Sequence, residues 1–284
     1  MRIDAHQHFW TLARGDYGWL TETEHPRLWR NFLPHDLEPL LRSARIEQTI
    51  LVQAAPTVAE TEFLLRVAGA TPFVAGVVGW VDFESSEAPS VIARLAREGK
   101  LVGLRPMIQD LADDRWILSP AITPALQAMR EHDLAFDALV KPRHLPVLAE
   151  FVARHPGLRV VIDHGAKPEI ARGERENWAR AICAIADASG VFCKLSGLVT
   201  EAGAQWSAAQ LEPYVDVLLE AFGTDRLMWG SDWPVLNEAG TYLGWLAAAE
   251  ALSASLSAAE RERLFGGTAE AFYKVPARTA EDSP

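Results

Sequence analysis

Eight short apolar runs, spread along the whole chain and separated by segments of helical period, constrain the fold more than any other feature of this sequence. They cover residues 3–6, 49–54, 73–80, 101–105, 135–140, 159–163, 191–195 and 227–230. Each is rich in Val, Ile, Leu or Phe, with little polar alternation. Strands of that kind are buried on both faces, which happens when helices cover a parallel sheet. Between them, Val91, Ile92, Leu95 and Ala96 form a helical stripe within residues 90–97, and residues 178–188 and 212–222 repeat the period. Gly99, Gly190 and Gly223 follow these segments as stop signals. Asp36 stands near the start of a further helix.

Eight strand–helix units predict a closed α/β barrel, the (β/α)8 or TIM barrel, rather than an open sheet. The chain has 284 residues, and such a barrel needs about 250. One domain over residues 1–277 with a frayed polar tail at 278–284 accounts for the length. No G-x-G-x-x-G or P-loop is present, which argues against an open nucleotide-binding sheet. The formal net charge of −11 disfavours phosphate backbones and anionic lipid surfaces, so neither nucleic acid nor membrane is an expected partner. The two cysteines, Cys183 and Cys193, make neither a metal-ligand spacing nor a disulfide framework. No signal peptide is expected before the first strand, which places the protein in the cytoplasm.

Polar residues at strand ends mark the candidate site. His6 and His8 lie two apart at the end of the first run, so their imidazoles face the same side. By itself an H-x-H pair also fits solvent-facing histidines. Asp163-His164-Gly165 ends the sixth run, and Gly230-Ser231-Asp232-Trp233-Pro234 ends the eighth. Asp163 could orient a neighbouring group, and His164 and Asp232 could cap the segments after them. All three features nevertheless reach the carboxyl end of one barrel, where barrel enzymes do chemistry. Three imidazoles and a carboxylate could bind one Zn2+ with an open position, or position water without metal. The connection over residues 11–34 is long and carries Trp19 and Trp29, which suits a pocket wall.

These residues resemble the amidohydrolase superfamily, and within it the branch of metal-dependent hydrolases that contains sugar lactonases and the pyrone dicarboxylate lactonase. The resemblance rests on His6-Gln7-His8, on Asp163-His164-Gly165-Ala166-Lys167-Pro168 and on Trp229-Gly230-Ser231-Asp232-Trp233-Pro234. It extends through Leu33-Pro34-His35-Asp36-Leu37, Lys194-Leu195-Ser196-Gly197 and Phe265-Gly266-Gly267-Thr268-Ala269. Binuclear members use a carboxylated Lys or a Glu on strand four and a further His on strand five. Here strand four ends in Arg105, and strand five runs into Lys141-Pro142-Arg143-His144, with His144 beginning the next helix. The resemblance therefore implies one divalent ion, such as Zn2+, on His6, His8, His164 and Asp232, or none.

It also implies hydrolysis of a small-molecule sugar lactone. Asp232 would be the general base, and His6, His8 and His164 would polarise the carbonyl. Arg105, Lys141, Lys167 and Lys194 would position the substrate, although each could equally form salt bridges at the rim. Trp29, Trp80 and Trp233 would offer ring faces, with core packing the rival role for Trp80. Competing readings are hydrolysis of an aromatic-pathway lactone, decarboxylation of an aromatic acid, and a non-catalytic sugar-binding barrel. The oligomeric state is not legible in the sequence.

Overall fold

The eight apolar runs form eight parallel strands that pair in chain order. In the computed structural model, which describes residues 1–275, these are β1 (Ile3–Gln7), β2 (Gln48–Val52), β3 (Val74–Gly79), β4 (Leu101–Leu104), β5 (Ala135–Ala138), β6 (Val160–Ile162), β7 (Phe192–Leu195) and β8 (Leu227–Trp229). Nearly all their residues are buried, as expected of strands enclosed on both faces. The barrel shuts by hydrogen bonds just beyond β8: His8 N–H donates to Trp233 O (2.7 Å) and Asp232 N–H to His6 O (2.8 Å). That seam brings the first and last sequence motifs side by side. The expected tail at 278–284 lies outside the described residues.

Helices α1 (Pro34–Ala44), α2 (Val58–Gly69), α3 (Ala88–Ala96), α4 (Thr123–Glu131), α5 (Leu145–Arg154) and α6 (Glu176–Ala188) follow the first six strands in turn. The short α7 (Leu198–Ala202) and the long α8 (Ala208–Arg226) both lie between β7 and β8. Gly223, at φ 59°, breaks the helical path of α8 where the sequence places a stop. Local signals explain several starts. Thr57 Oγ1 accepts from Glu60 N–H at the start of α2 (3.0 Å), and Asp36 Oδ2 accepts from Leu33 N–H at α1 (2.9 Å). His144 ends a 3-10 turn that leads into α5, as the sequence implies.

Beyond β8 come α9 (Tyr242–Leu252), α10 (Ala258–Glu262) and α11 (Thr268–Tyr273). One apolar cluster fills the space between sheet and helices. A second fills the barrel, where Ala5, Val52, Val78, Val161 and Met228 meet Phe272 and Tyr273 of α11. The last helix thus plugs the barrel, and the interior is packed rather than a pore.

Candidate active site

One carboxylate oxygen is the centre of the site. Asp232 Oδ1 lies 3.3 Å from His8 Nε2, 3.8 Å from His6 Nε2 and 3.9 Å from His164 Nε2. The His6 ring centroid is 4.9 Å from that of His8 and 4.4 Å from that of His164. The four residues proposed from sequence are therefore brought together, and all are buried.

The backbone that presents them is unusual. His164, Gly165, Ala166 and Lys167 run consecutively at positive φ, from 52° to 61°, and Asp232 sits at φ 60°. Left-handed conformations of non-glycine residues cost energy and concentrate where side chains must be aimed. Gly197, at φ 69°, passes so close to His164 that a Cβ there would sit 2.7 Å from its ring. A Cβ on Gly230 would similarly lie 2.8 Å from His6 Cβ.

Each imidazole is held from behind. His8 Nδ1 donates to Val52 O (2.8 Å), which turns its Nε2 to Asp232 Oδ1 at 3.3 Å. His164 Nδ1 bonds Ser196 Oγ (2.8 Å). His6 Nδ1 faces Lys194 Nζ (3.1 Å) and Asp163 Oδ1 (3.5 Å). Burial drives the pKa of His6 well below its ordinary value, reinforced by Lys194, and burial takes that of His164 down to about 4. Both are neutral near pH 7. Burial alone would raise Asp232, but the interactions with His164, His8 and His6 outweigh it and hold the carboxyl below its usual range. The site therefore pairs an ionised carboxylate with the neutral imidazoles of His6 and His164.

Such donors suit a cation. One ligand atom each from His6, His8 and Asp232 lies within 4.8 Å of the others, and His6, Asp163 and His164 form a second such group. His6, His8 and Asp232 thus offer two imidazole nitrogens and a carboxylate oxygen of the kind that hold a divalent ion. Arg105 ends β4 where a bridging carboxylate would stand in a binuclear site.

The site opens into a cavity of about 220 Å³, walled in part by Trp19, Arg105, Gln109, His164, Lys167 and Asp232. Arg105 reaches it while donating to Gln53 O and lying 3.4 Å from Asp163 Oδ2. Lys167 also faces a neighbouring cavity of about 480 Å³, where Lys141 and Glu201 stand.

Four sequence expectations need correction. Lys194 lines no cavity described here; it lies buried beneath His6, ion-paired with Asp137 Oδ2 (2.6 Å) and Asp163 Oδ1 (3.0 Å). Trp233 is 2% exposed and packs edge-on against Phe9 and Phe32, so it is core. Trp29 is 39% exposed and lines no cavity described here, whereas Trp19 of the same long connection takes the pocket wall, its Nε1 donating to Ala54 O (2.8 Å). Trp80 faces an adjoining cavity rather than the catalytic one.

Sequence reasoning also missed supporting residues. Asp4 is buried beneath the seam and accepts from Ser231 N–H (2.8 Å), Tyr242 Oη (3.0 Å) and His6 N–H (3.2 Å). Burial pushes its pKa up to about 6. The i, i+2 pattern of Asp4, His6 and His8 was an available signal for it. Ser196 stands in the Lys194-Leu195-Ser196-Gly197 match and Asp137 inside an apolar run, but their partners are remote in sequence and so were not legible.

This geometry has relatives. The amidohydrolase family profile matches residues 3–275. The chain belongs to the amidohydrolase family. It is 52% identical over 278 residues to a Burkholderia ambifaria protein named L-fucono-1,5-lactonase, covering 96% of each chain. A Burkholderia multivorans protein of the same name is 40% identical over 292 residues, covering 97% of each chain. A crystal structure of a Burkholderia multivorans amidohydrolase with bound zinc superposes with a TM-score of 0.92 at 38% identity, covering 97% of this chain and 100% of that one.

Proposed function

We propose that this amidohydrolase opens a sugar lactone to its aldonic acid, and that L-fucono-1,5-lactone is the substrate. The observation that carries the chemistry is the Asp232 carboxylate, buried, ionised and shared among three imidazoles at the floor of a small cavity. The sugar is supported by 52% identity across nearly the full length of a relative named for that lactone.

A water between Asp232 and the lactone carbonyl gives up a proton to Asp232 as its oxygen attacks the carbonyl carbon. Negative charge moves onto the carbonyl oxygen, where the Arg105 guanidinium stabilises it. The ring C–O bond then breaks, and the proton passes from Asp232 to the departing alkoxide. Lactone and water become a hydroxy acid, which loses a proton at neutral pH and makes turnover visible to an indicator. Trp19 shields one side of the cavity, and Lys167 and Gln109 offer donors to ring hydroxyls. His6, His8, His164 and Asp232 would hold a divalent ion, and a bound ion supplies Lewis-acid polarisation of the carbonyl.

We infer that the ion, where one is bound, is a single Zn2+, on the strength of the imidazole-rich donor set. We also place the enzyme in the cytoplasm; both cysteines are free thiols, as a reducing compartment favours. Among the described residues no helix is long and apolar enough to cross a membrane. The deciding experiment is indicator-monitored hydrolysis of L-fucono-1,5-lactone by the parent and by Asp232→Asn, with spontaneous opening subtracted. Loss of a general base lowers turnover by about 10²–10⁴-fold. An Asp232→Asn enzyme as fast as the parent would refute the assignment.

A further inference from the structure

Beside the catalytic cavity lies a larger one, of about 530 Å³, whose walls include Trp19, Trp80, Phe83, Met107 and Trp116. The two share Trp19, Met107 and Asp110, so a ligand seated on Asp232 has the second cavity as its neighbour. The aromatic walls are held in place. Trp19 is fixed by its bond to Ala54 O, and Trp116 meets Phe83 edge-on at 5.9 Å.

The polar groups of this second cavity all carry one sign. Asp16, Asp82, Glu84 and Asp110 line it, and none of its lining residues is Lys, Arg or His. Asp16 uses Oδ2 for Arg14 (2.5 Å) and Thr57 Oγ1 (3.0 Å). Its Oδ1 is out of reach of solvent and so of the cavity. Asp82, Glu84 and Asp110 are exposed at the rim, where their oxygens accept hydrogen bonds. Aromatic faces rimmed by acceptors suit a ligand that has an apolar face and also donates hydrogen bonds. Carboxylates with no cation among the lining residues disfavour an anionic ligand. A plain aryl or alkyl group would use the aromatic faces alone.

We propose that this cavity is a second subsite for a neutral sugar ring, so that the enzyme also accepts aldonolactones bearing a glycosyl substituent. The C–H faces of the ring stack on Trp80 and Trp116, and its hydroxyls donate to Asp82 and Asp110. The proposal rests on the lactonase reading of the adjoining site. At about 220 Å³ that site is sized for a single small ring, which leaves the 530 Å³ neighbour for a second.

The test compares L-fucono-1,5-lactone with the same lactone carrying a glucosyl group, placed in turn on each free hydroxyl, or a phenyl group. The enzymes are the parent, Trp116→Ala, Trp116→Phe and Asp82→Asn. Trp116→Ala is expected to lower kcat/KM about tenfold for a glucosyl lactone, the size of one lost ring face, while the unsubstituted lactone is unaffected. Trp116→Phe should restore most of the loss. Asp82→Asn should weaken the glucosyl lactone alone. The proposal is overturned if every glucosyl lactone is refused, if its turnover is indifferent to Trp116, or if the phenyl lactone is the one that depends on Trp116. Should no lactone react, the reading of the catalytic cavity fails separately. Saturable quenching of tryptophan fluorescence by a glucosyl-L-fucoside, lost in Trp116→Ala, would then still support the subsite, and absence of binding would overturn it.

Discussion

Replacing Lys194 with Met tests how the floor of the site is held. The Lys194 ammonium is fully buried between Asp137 Oδ2 at 2.6 Å and Asp163 Oδ1 at 3.0 Å. Arg105 Nη1 lies 3.4 Å from the other oxygen of Asp163, so two cations face two carboxylates. Asp137 keeps one further donor, Tyr273 Oη, at 2.6 Å. Methionine fills nearly the same volume but leaves two carboxylates against one cation. Removing one partner of a buried pair costs about 3–5 kcal/mol, because the other charge stays buried and uncompensated. Burial already raises the pKa of Asp137, with Lys194 opposing the rise. Without the ammonium Asp137 rises further and takes up a proton, which limits the damage at low pH. Urea unfolding should therefore show about 3–5 kcal/mol lost at pH 8 and clearly less at pH 5.5. In Lys194→Met/Asp137→Asn the second change removes the stranded charge, and the pair should be less destabilised than the separate effects sum to, by about 1–3 kcal/mol. A loss below about 1 kcal/mol at pH 8, or strict additivity in the double variant, would refute the argument that these charges hold one another in place.

Four further outcomes follow from the same structure. Glu60 is buried against Tyr17 Oη, and burial raises its pKa from 4.5 to about 7. A raised carboxyl contributes stability that is present below about pH 4.5 and lost as pH climbs through 7, so Glu60→Gln should gain on the parent by up to about 3 kcal/mol between pH 4.5 and 8 in urea titrations. Gly197→Ala should depress lactone turnover at least about tenfold, since its methyl meets His164, whereas Gly203→Ala, also at positive φ (85°) but in open space, should alter only thermal stability by about 1 kcal/mol. Arg105→Lys loses the planar fork that spans Gln53 O and Asp163, and should lower kcat more than it raises KM in steady-state assays. Chelation followed by metal analysis should leave at most one equivalent of zinc to remove; two equivalents would contradict the placement of Arg105 at the end of β4.

Much of this was legible in the chain itself. Strands buried on both faces need unbroken apolar runs, so all eight could be located within a residue or two of their ends. Gly and cap residues marked the helices, although Gly223 falls inside the stretch assigned to α8. His6, His8, His164 and Asp232 were visible because ionisable groups closing apolar strands need a reason to be there. Arg105, which ends the fourth apolar run, lines the cavity.

What sequence alone could not decide was which way the remaining polar and aromatic side chains turn. Lys194 alternates along β7 into the barrel beneath His6, yet nothing local tells that its partners are Asp137 and Asp163, 57 and 31 residues earlier in the chain. Trp19 and Trp29 share one loop and one composition, and only the packing of that loop on Ala54 decides that Trp19 reaches the pocket. Periodicity is a local property and determines strands, helices and the end of the barrel where chemistry occurs. Partnership between buried charges, and the wall each tryptophan joins, depend on contacts made only once the barrel has closed between Asp232 and His6.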